Sequence, residues 1–367
     1  MRTVYVLGAG ASQFAAFPLA KGLWSFLQEK ENHRRCEINL ISERQTALDF
    51  IKKVKSTLQS EPDLGKRWLL DNGQPNLEFA FSVIDAAGQN NACRQTSPAT
   101  LLEDIRHTIL TLHLSRSDLG SIEKGLRSIV SFAFAHHSLS LYHLIRSNPL
   151  VRSVACRWQN RIRPDDILIS FNWDILCEML LWKAGKWFPN DGYGIEIQTN
   201  TSGPARRSPT CILKLHGSCN WALSHRQDQQ LEIDDAGTFF PGCDVATPDP
   251  PWRTSDYGDS IIIPSYLKDP FHVAVLPLIW KKAKQVLSDT EKIIVLGYSL
   301  PEADAFAQEL FRDAISRNCS LRHPIVLVLH RDDQAYQRWK ELCATCGKDC
   351  VRIQEPFEEF IRTPKSN

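Results

Sequence analysis

The sequence predicts an α/β protein with a Rossmann-like, doubly wound and mostly parallel sheet that carries a large helical insertion. Short apolar runs without polar alternation are typical of strands that helices cover on both faces of a parallel sheet. Several of these runs are followed by Gly, Asn or Ser and then by a helical pattern, as in doubly wound domains. The runs are Thr3–Leu7, Ile167–Phe171, Ile212–Leu215, Ile261–Ile263, Ile293–Leu296 and Ile325–Leu329.

The insertion is predicted over residues 31–160, so that residues 1–30 and 161–367 together form the nucleotide-binding core. The inserted segment has no convincing strand run and shows helical periodicity instead. A helix is expected over Leu77–Ile84, with Asn76 as its N-cap. Two further helices are indicated by Leu101, Ile105, Ile109 and Leu112 and by Ile122, Leu126, Ile129 and Phe132.

Connections in the core are predicted from turn-forming residues and from helical spacing. A helix is expected over Leu19–Leu27, after the first strand and its glycine-rich turn. Residues 189–210 and 224–258 are rich in Gly, Pro, Asp, Ser and Thr and are expected to form long loops. Long loops in a compact domain are commonly lids or binding loops.

The composition is that of an average globular protein, with 43% apolar and 23% charged residues among 367. It excludes a disordered chain, a collagen-like fibre and a coiled-coil rod. The net charge of +1 gives no global electrostatic reason to bind nucleic acid. No apolar run reaches the roughly 18–20 residues of a membrane helix, and no signal-peptide pattern is present. We therefore expect a cytoplasmic protein that binds neither a membrane nor a specific nucleic-acid sequence.

The cysteine pattern favours free thiols. The 11 cysteines are an odd number, and no secretory signal accompanies them. Cys343, Cys346 and Cys350 are closely spaced, but a zinc site needs four ligands, and neither a second Cys-x2-Cys pair nor a histidine at finger spacing is found. We therefore expect no metal site.

The first candidate binding motif is the loop after the first run, which contains Gly8, Ala9, Gly10 and Ser12. Glycines in a strand–helix turn let the backbone approach a phosphate, and a helix N-terminus offers free N–H groups to an anion. The third glycine of the dinucleotide fingerprint is missing, because Gln13 stands there. A tight turn without a ligand accounts for the two glycines about equally well.

Two further motifs follow the second and third runs, where the ligand crevice of open α/β sheets is expected. Asn172 and Asp174 alternate after the second run, although Asp174 also suits an Asx cap of the helix Ile175–Trp182. His216 follows the third run beside Gly217 and is a candidate general base, because histidine titrates near neutral pH. A histidine satisfied within the core is the alternative interpretation.

The fourth motif follows the fifth run and contains Gly297, Tyr298 and Ser299. Gly297 and Ser299 are candidates for a phosphate or ribose contact. Pro301 suits the first turn of the helix that follows. Taken alone, this motif is also compatible with an ordinary strand–helix turn.

The order and spacing of the four motifs resemble the sirtuin family of NAD-consuming enzymes. Gly8–Ser12 looks like the family's Gly-Ala-Gly-x-Ser loop, and Asn172–Asp174 looks like its Asn-x-Asp element. His216–Gly217 is similar to its catalytic His-Gly, and Gly297–Ser299 stands where its Gly-Thr-Ser is found. The resemblance implies a Rossmann-like NAD-binding core.

The fit is closer to the bacterial sirtuin-like branch than to the protein deacetylases. That branch has a Lys-Leu-His-Gly-Ser-x-Asn-Trp block and a Gly-Tyr-Ser-Leu-Pro-x-x-Asp block, which read Lys214–Trp221 and Gly297–Asp304 here. The resemblance spans roughly residues 1–30 and 165–330, and it covers the helical insertion in kind only.

Departures from the deacetylase pattern argue against lysine deacylation. Pro18–Lys21 replaces the Pro-Asp-Phe-Arg that follows the glycine loop, and Phe171 replaces the usual Gln. The Cys-x2-Cys pairs of the deacetylase zinc module are absent downstream of His216. His330–Asp332 follows the run Ile325–Leu329, where the family has an Asn that contacts adenosine.

The resemblance implies an NAD+ glycohydrolase, with NAD as its substrate and with nicotinamide and ADP-ribose as products. Asn172 would orient the nicotinamide ribose and a water, and His216 would act as general base. Asp174 would contact the nicotinamide carboxamide or position the nearby loop. The full set of residues implied to bind the dinucleotide is Gly8, Ala9, Gly10, Ser12, Asp174, Gly297, Tyr298 and Ser299.

The bacterial branch further implies an effector of antiphage defence that depletes NAD by abortive infection. An unregulated NAD hydrolase would kill its host, so we expect a gate. Homo-oligomerisation is one such gate, and a partner such as a helicase-like ATPase or a short Argonaute is another. Two alternatives stay open: a non-catalytic sensor that binds NAD or ADP-ribose and, less favoured, a protein deacylase or ADP-ribosyltransferase.

Overall fold

The strands form two sheets. The structure is a computed structural model that describes residues 2–19, 22–32, 41–70, 72–88, 99–113, 116–195, 207–223, 231–233, 260–262, 275–302 and 304–363. Its strands are β1 (Thr3–Leu7), β2 (Ile167–Ser170), β3 (Cys211–Lys214), β4 (Gly217–Leu223), β5 (Leu231–Ile233), β6 (Ser260–Ile262), β7 (Lys292–Leu296), β8 (Ile325–Val328) and β9 (Cys350–Ile353).

Helices make up most of the remaining described chain. They are α1 (Leu23–Asn32), α2 (Ile41–Ser60), α3 (Pro62–Trp68), α4 (Leu77–Gly88), α5 (Ala99–Leu112), α6 (Arg116–Ser147), α7 (Pro149–Arg161), α8 (Leu176–Lys183), α9 (Pro189–Gly192), α10 (Leu276–Ser288), α11 (Ala305–Arg317), α12 (Asp333–Thr345) and α13 (Phe357–Arg362). None of these described helices combines the length and the apolarity that crossing a bilayer requires.

The main sheet has the strand order of a Rossmann fold. Its six strands are parallel and lie in the order β3-β2-β1-β7-β8-β9. Counted along the chain within this sheet, the order is 3-2-1-4-5-6, as in doubly wound dinucleotide-binding folds. All five residues of the central strand β1 are buried. The predicted fold class is confirmed, and the topological switch point lies between β1 and β7.

A second sheet is antiparallel and has the order β5-β4-β6. The prediction that Ile261–Ile263 belongs to the parallel sheet is wrong, because its described residues, Ile261 and Ile262, lie in β6, which is antiparallel to β4. Gly217, at φ +76°, turns the chain from the end of β3 into β4. A run of three apolar residues indicates a strand but does not specify its pairing partner, so the sequence did not separate the two sheets.

Helices α1 to α7 lie between β1 and β2 in the chain, and α2 to α7 form the predicted helical insertion. The longest, α6, packs against α1, α2 and α4. Asn76 caps α4 as predicted, because its Oδ1 accepts a hydrogen bond from the Glu78 amide at 3.0 Å. Buried residues such as Ile105 and Ile129 belong to the same hydrophobic cluster as Val4 of the central strand. The insertion and the sheet therefore share one hydrophobic core.

The first helix begins later than predicted. Ala9–Ala11 and Gln13–Ala15 form two 3-10 turns, and α1 begins at Leu23 rather than at Leu19. Ala16 ends the second turn in the left-handed region, at φ +60°, and redirects the chain before the helix. The glycine motif is therefore followed by short turns instead of an α-helix.

The two predicted loops are only partly described. Within 189–210, the described part contains α9 and the residues on either side of a gap at 196–206. Most of 224–258 lies outside the described residues, apart from the three residues of β5.

Candidate functional site

The four predicted motifs lie in one row at the carboxyl edge of the main sheet. They follow β3, β2, β1 and β7, which are consecutive neighbours in the sheet. In open α/β sheets, ligands bind outside this edge and at the switch point. The fold thus brings together side chains that the sequence separates by nearly 300 residues.

The glycines of the first motif allow two loops to touch. A Cβ on Gly8 would lie 2.4 Å from the Cα of Tyr298, and a Cβ on Gly10 would lie 2.9 Å from the Cα of Gly297. The Gly8 amide donates to the Leu296 carbonyl at 3.0 Å, and the Gly10 amide donates to the Gly297 carbonyl at 3.2 Å. Close loop packing across the switch point is thus one reason for the glycine pattern.

Most amides of this loop already have acceptors inside the protein. Besides Gly8 and Gly10, Ala11 donates to the Gly8 carbonyl at 2.9 Å and Ser12 donates to the Ala9 carbonyl at 3.1 Å. Within the described residues, Ala9 is the one loop amide without such an acceptor. The expected α-helix N-terminus is not at this loop either, since α1 begins at Leu23. The phosphate cradle expected from the sequence is therefore not preformed.

Asn172 connects the β2 loop to the glycine motif. Its side-chain Nδ2 donates to the carbonyl of Gly8 and to the Oγ of Ser12, both at 3.0 Å. Ser12 is buried, and Asn172 is half-buried. The backbone N–H of Asn172 donates to the Oγ of Ser170 at 3.2 Å. Two of the motifs identified from the sequence are thus joined by direct hydrogen bonds.

Asp174 has a structural role at the start of α8. Its Oδ1 accepts a hydrogen bond from the Leu176 amide at 3.0 Å, in agreement with the Asx-cap interpretation. The carboxylate is 4% exposed. The backbone carbonyl of Asp174 accepts a hydrogen bond from the Nζ of Lys214. The predicted contact of Asp174 with the nicotinamide carboxamide would use a carboxylate that already positions this loop.

A buried ion pair lies beneath the site. Lys214 Nζ is 3.3 Å from Glu178 Oε1, and both side chains are 1% exposed. Burial raises the pKa of Glu178, and the nearby Lys214 ammonium opposes that shift. The hydroxyl of Tyr193 donates to Glu178 Oε1 at 3.4 Å, and Asn220 Nδ2 donates to the Tyr193 oxygen at 3.3 Å. This network ties the end of β3 to α8 and to β4.

His216 is nearly enclosed, with 3% of its surface exposed. The ring of Phe171 packs edge-on against it, with the centroids 4.9 Å apart and the planes at 73°. Its Nε2 lies 3.2 Å from Oδ2 of Asp304. The distance suits an ion pair, but the ring N–H is out of line for a hydrogen bond. The contact between His216 and Asp304 is therefore electrostatic.

Tyr298 is directed into the protein. Its ring lies on the ring of Phe171, and its hydroxyl donates to Oδ2 of Asp304 at 2.6 Å. Burial, followed by the charge of Asp304, raises the pKa of Tyr298 well above its ordinary value, so the hydroxyl stays a donor. Its backbone carbonyl accepts from Trp339 Nε1 at 2.9 Å. The sequence implied that Tyr298 binds the dinucleotide, whereas its side chain contacts Phe171 and Asp304.

The other two residues of this motif have different exposures and partners. Ser299 is half-buried, and its carbonyl accepts two hydrogen bonds from the guanidinium of Arg338, at 3.1 and 2.9 Å. Gly297 adopts φ +63°, where a side chain would be strained, and its amide donates to the Val328 carbonyl at 3.0 Å. Leu300 also adopts a left-handed φ, of +49°. The turn after β7 is therefore held in an unusual backbone conformation.

The sequence matches no protein-family model and no curated protein.

Metal ligands are not clustered in the described part of the chain, where no group of three or more His, Cys, Asp or Glu side chains could hold an ion. The described cysteines, including Cys343, Cys346 and Cys350, are free thiols. Burial raises the pKa of the Cys343 and Cys350 thiols.

Two residues of the site, Asp304 and Phe171, were not predicted from the sequence to have a role in it. Asp304 precedes α11 and looks like an N-cap in the sequence, yet its carboxylate caps no helix amide and faces Tyr298 and His216. Phe171 looks like the last residue of a strand, yet its ring contacts the rings of His216 and Tyr298. Only the appearance of Asp304 in the second sirtuin-like block pointed to it.

Proposed function

We propose that the protein is an NAD+ glycohydrolase. The observation that carries the proposal is the side-chain amide of Asn172, which donates hydrogen bonds to both Gly8 and Ser12. It lies in the same row of strand-end loops as His216, beside the switch point where dinucleotides bind in this fold. The resemblance of these motifs to bacterial sirtuin-like proteins supplies the substrate class.

The reaction cleaves the bond between C1′ of the nicotinamide ribose and the ring nitrogen of nicotinamide. The bonding electrons return to the cationic ring, so nicotinamide leaves neutral and needs no strong acid. Positive charge develops on the ribose in an oxocarbenium-like transition state, as in glycoside hydrolysis. Water then bonds to C1′ and loses a proton, which gives ADP-ribose.

His216 and Asn172 have separate roles in this proposal. His216 acts as general base on the attacking water or on a ribose hydroxyl, a contribution typically worth about 10²–10⁴-fold in rate. Asn172 orients the nicotinamide ribose and the water. It keeps an amide oxygen for this purpose, since its described bonds to Gly8 and Ser12 use the Nδ2 group.

The remaining residues bind or shape the crevice. Ala9 has a loop amide without an internal acceptor among the described residues, and Ser299 is half-buried after β7. Both are suited to the diphosphate and its neighbouring ribose. Asp174 positions the Asn172 loop through its bond to Leu176 rather than by reading the carboxamide.

The cellular role we propose is NAD depletion in bacterial antiphage defence. It rests on the resemblance to the bacterial branch and on the need to gate such an activity. Homo-oligomerisation or a partner, either a helicase-like ATPase or a short Argonaute, would supply the gate. Cells that express the chain with its partner should lose NAD after phage infection, and cells that express Asn172→Ala should not.

The decisive experiment is nicotinamide release by the purified chain, alone and with candidate partners, measured by chromatography. We expect stoichiometric nicotinamide and ADP-ribose from NAD+, and loss of both products in Asn172→Ala and His216→Ala. Absence of release from every assembly would overturn the hydrolase proposal. Release that survives both substitutions would show that the catalytic groups lie elsewhere.

One observation favours a second candidate, a non-catalytic module that senses NAD or ADP-ribose. His216 is only 3% exposed, so a reactant reaches it only after the surrounding loops move. A sensor would bind NAD with a calorimetric signal and release no nicotinamide in any assembly. A deacylase would instead consume an acylated peptide together with NAD.

A further inference from the structure

Resting on the proposed hydrolase function, we propose that Asp304 is a positioning residue, itself held by Tyr298, which orients His216 so that Nδ1 is the nitrogen that serves as base. The Nε2 atom of His216 lies 3.2 Å from Oδ2 of Asp304. The two ring nitrogens of an imidazole point to different sides. A carboxylate at Nε2 therefore leaves Nδ1 for the reactants.

The carboxylate of Asp304 is directed away from the role its position suggests. Asp304 is the N-cap residue of α11, where an aspartate normally accepts a bond from a helix amide. It makes no such side-chain bond. Instead, Oδ2 accepts the Tyr298 hydroxyl at 2.6 Å and faces His216. A fully buried carboxylate that gives up its cap bond for these contacts is placed for the site rather than for the helix.

Two contacts fix the geometry of this arrangement. Ring stacking holds Tyr298 beside Asp304. The centroids of the Tyr298 and Phe171 rings are 3.9 Å apart, and the ring planes are 4° from parallel. The same Phe171 ring packs edge-on against His216 and limits its rotation. Phe171 thereby fixes the position of the His216 ring relative to the Tyr298 ring, while Asp304 supplies the negative charge beside His216.

The arrangement selects one tautomer of neutral His216. A proton on Nε2 lies beside the Asp304 carboxylate, whose charge attracts it, and the lone pair is then on Nδ1, where a base needs it. The opposite tautomer would direct a lone pair at a carboxylate, which is unfavourable in a buried site. Replacing Asp304 by Asn removes the charge that selects between the two.

The first test observes the ring directly, without any activity. Nitrogen-15 spectra of histidine-labelled full-length protein are recorded at increasing pH until the ring signals no longer change, so that the neutral imidazole is observed. His216→Gln identifies the His216 signals. We expect the Nε2–H tautomer in the wild type, and a shift towards the Nδ1–H tautomer in Asp304→Asn. An Nδ1–H wild type, or an unchanged signal in Asp304→Asn, would overturn the proposal.

The second test asks whether Asp304 acts through His216. Asp304→Asn should lower kcat for NAD cleavage within the roughly 10²–10⁴-fold range of a general base, while KM changes by less than about twofold. In a His216→Ala background, the same substitution should change kcat by less than about twofold, because its target is gone. If Asp304→Asn lowers kcat equally in the wild-type and His216→Ala backgrounds, Asp304 has a merely structural role.

Controls keep the outcomes separate. Asp166→Asn removes another buried carboxylate, which accepts the Thr3 and Arg163 amides at the opposite edge of the sheet, and should leave kcat and the His216 tautomer unchanged. Tyr298→Phe keeps both the stacked ring and the Asp304 charge, so it should keep the Nε2–H tautomer. If Asp304→Asn does not fold, the tautomer of the wild type alone decides, because an Nδ1–H wild type would overturn the proposal. An inactive protein with the expected tautomers would refute the hydrolase and leave the positioning role standing.

Discussion

The ring of Phe171 lies flat on the ring of Tyr298, with the centroids 3.9 Å apart and the planes 4° from parallel. The two residues follow β2 and β7, the strands on either side of β1, so their contact crosses the switch point of the sheet. A phenylalanine here joins two loops of the site through ring packing, where the deacetylase pattern has a polar glutamine.

Phe171→Leu should reduce both stability and NAD cleavage. The lost ring pair contributes about 0.5–1.5 kcal/mol beyond its buried area, and His216 loses the ring that packs against it. Urea unfolding and nicotinamide release measure the two effects. Phe79→Leu breaks another stacked pair, with Trp68 in the insertion, and should lower stability alone. Equal losses of activity in both variants would contradict this role of Phe171.

Gly8→Ala should destabilise the protein by about 1–3 kcal/mol, the usual cost of overpacking. The added Cβ would meet the backbone of Tyr298 at 2.4 Å, and backbone yields less readily than a flexible side chain. Gly22→Ala is the matched control, because its nearest neighbour would be the Cβ of Pro18 at 3.8 Å. Thermal unfolding of the two variants decides the matter. A Gly8→Ala protein as stable as Gly22→Ala would show that the two loops can separate at little cost.

Glu178 should make stability depend on pH. Burial raises the pKa of Glu178, so the folded protein binds this proton more tightly than the unfolded chain does. The free energy of unfolding therefore falls as pH rises above the ordinary glutamate value of about 4.3, by at most about 1.4 kcal/mol per pH unit. Glu178→Gln cannot titrate and should lose this slope.

Urea unfolding at several pH values between about 4.5 and 8 measures that slope. The stability of the wild type relative to Glu178→Gln should decline as the pH increases. Glu309→Gln, at an exposed position of α11, controls for the loss of a carboxylate as such. Parallel curves for the wild type and Glu178→Gln would refute the raised pKa.

Two glycines of α6 should respond in opposite directions to alanine. Gly120→Ala should stabilise by about 0.5–1 kcal/mol, because a Cβ there meets nothing within 4 Å and alanine favours helix. Gly125→Ala should destabilise, because its Cβ would lie 2.1 Å from the Glu43 carbonyl of α2. Shifts of the thermal unfolding midpoint in the same direction would mean that α2 and α6 do not approach closely at Gly125.

The parallel strands were predictable because they are buried on both faces. Five of the six main-sheet strands lie within one residue of an apolar run in the sequence. The sixth, β9, was not predicted, because it is an edge strand of four residues whose apolar pattern is interrupted by Arg352. The separate sheet of β4 to β6 was missed for another reason, since pairing depends on the turn at Gly217.

The residues of the candidate site were predictable from the sequence, whereas the contacts between them were less so. The loop residues Asn172 and His216 stand out because they follow apolar runs. The contact between His216 and Asp304 joins residues that are 88 positions apart, and an aspartate before a helix is usually a cap. No periodicity or spacing encodes such a contact, and it emerges only when β3 and β7 are placed in one sheet.

The central position of β1 has a consequence for biosynthesis. Its neighbours in the sheet begin only at Ile167 and Lys292. At about 5–20 residues per second, a ribosome needs on the order of ten seconds to make the first neighbour and longer for the second. Throughout that time the native partner strands of Thr3–Leu7 are not yet made. The strand that organises the finished sheet is thus the main-sheet strand that waits longest for a native partner.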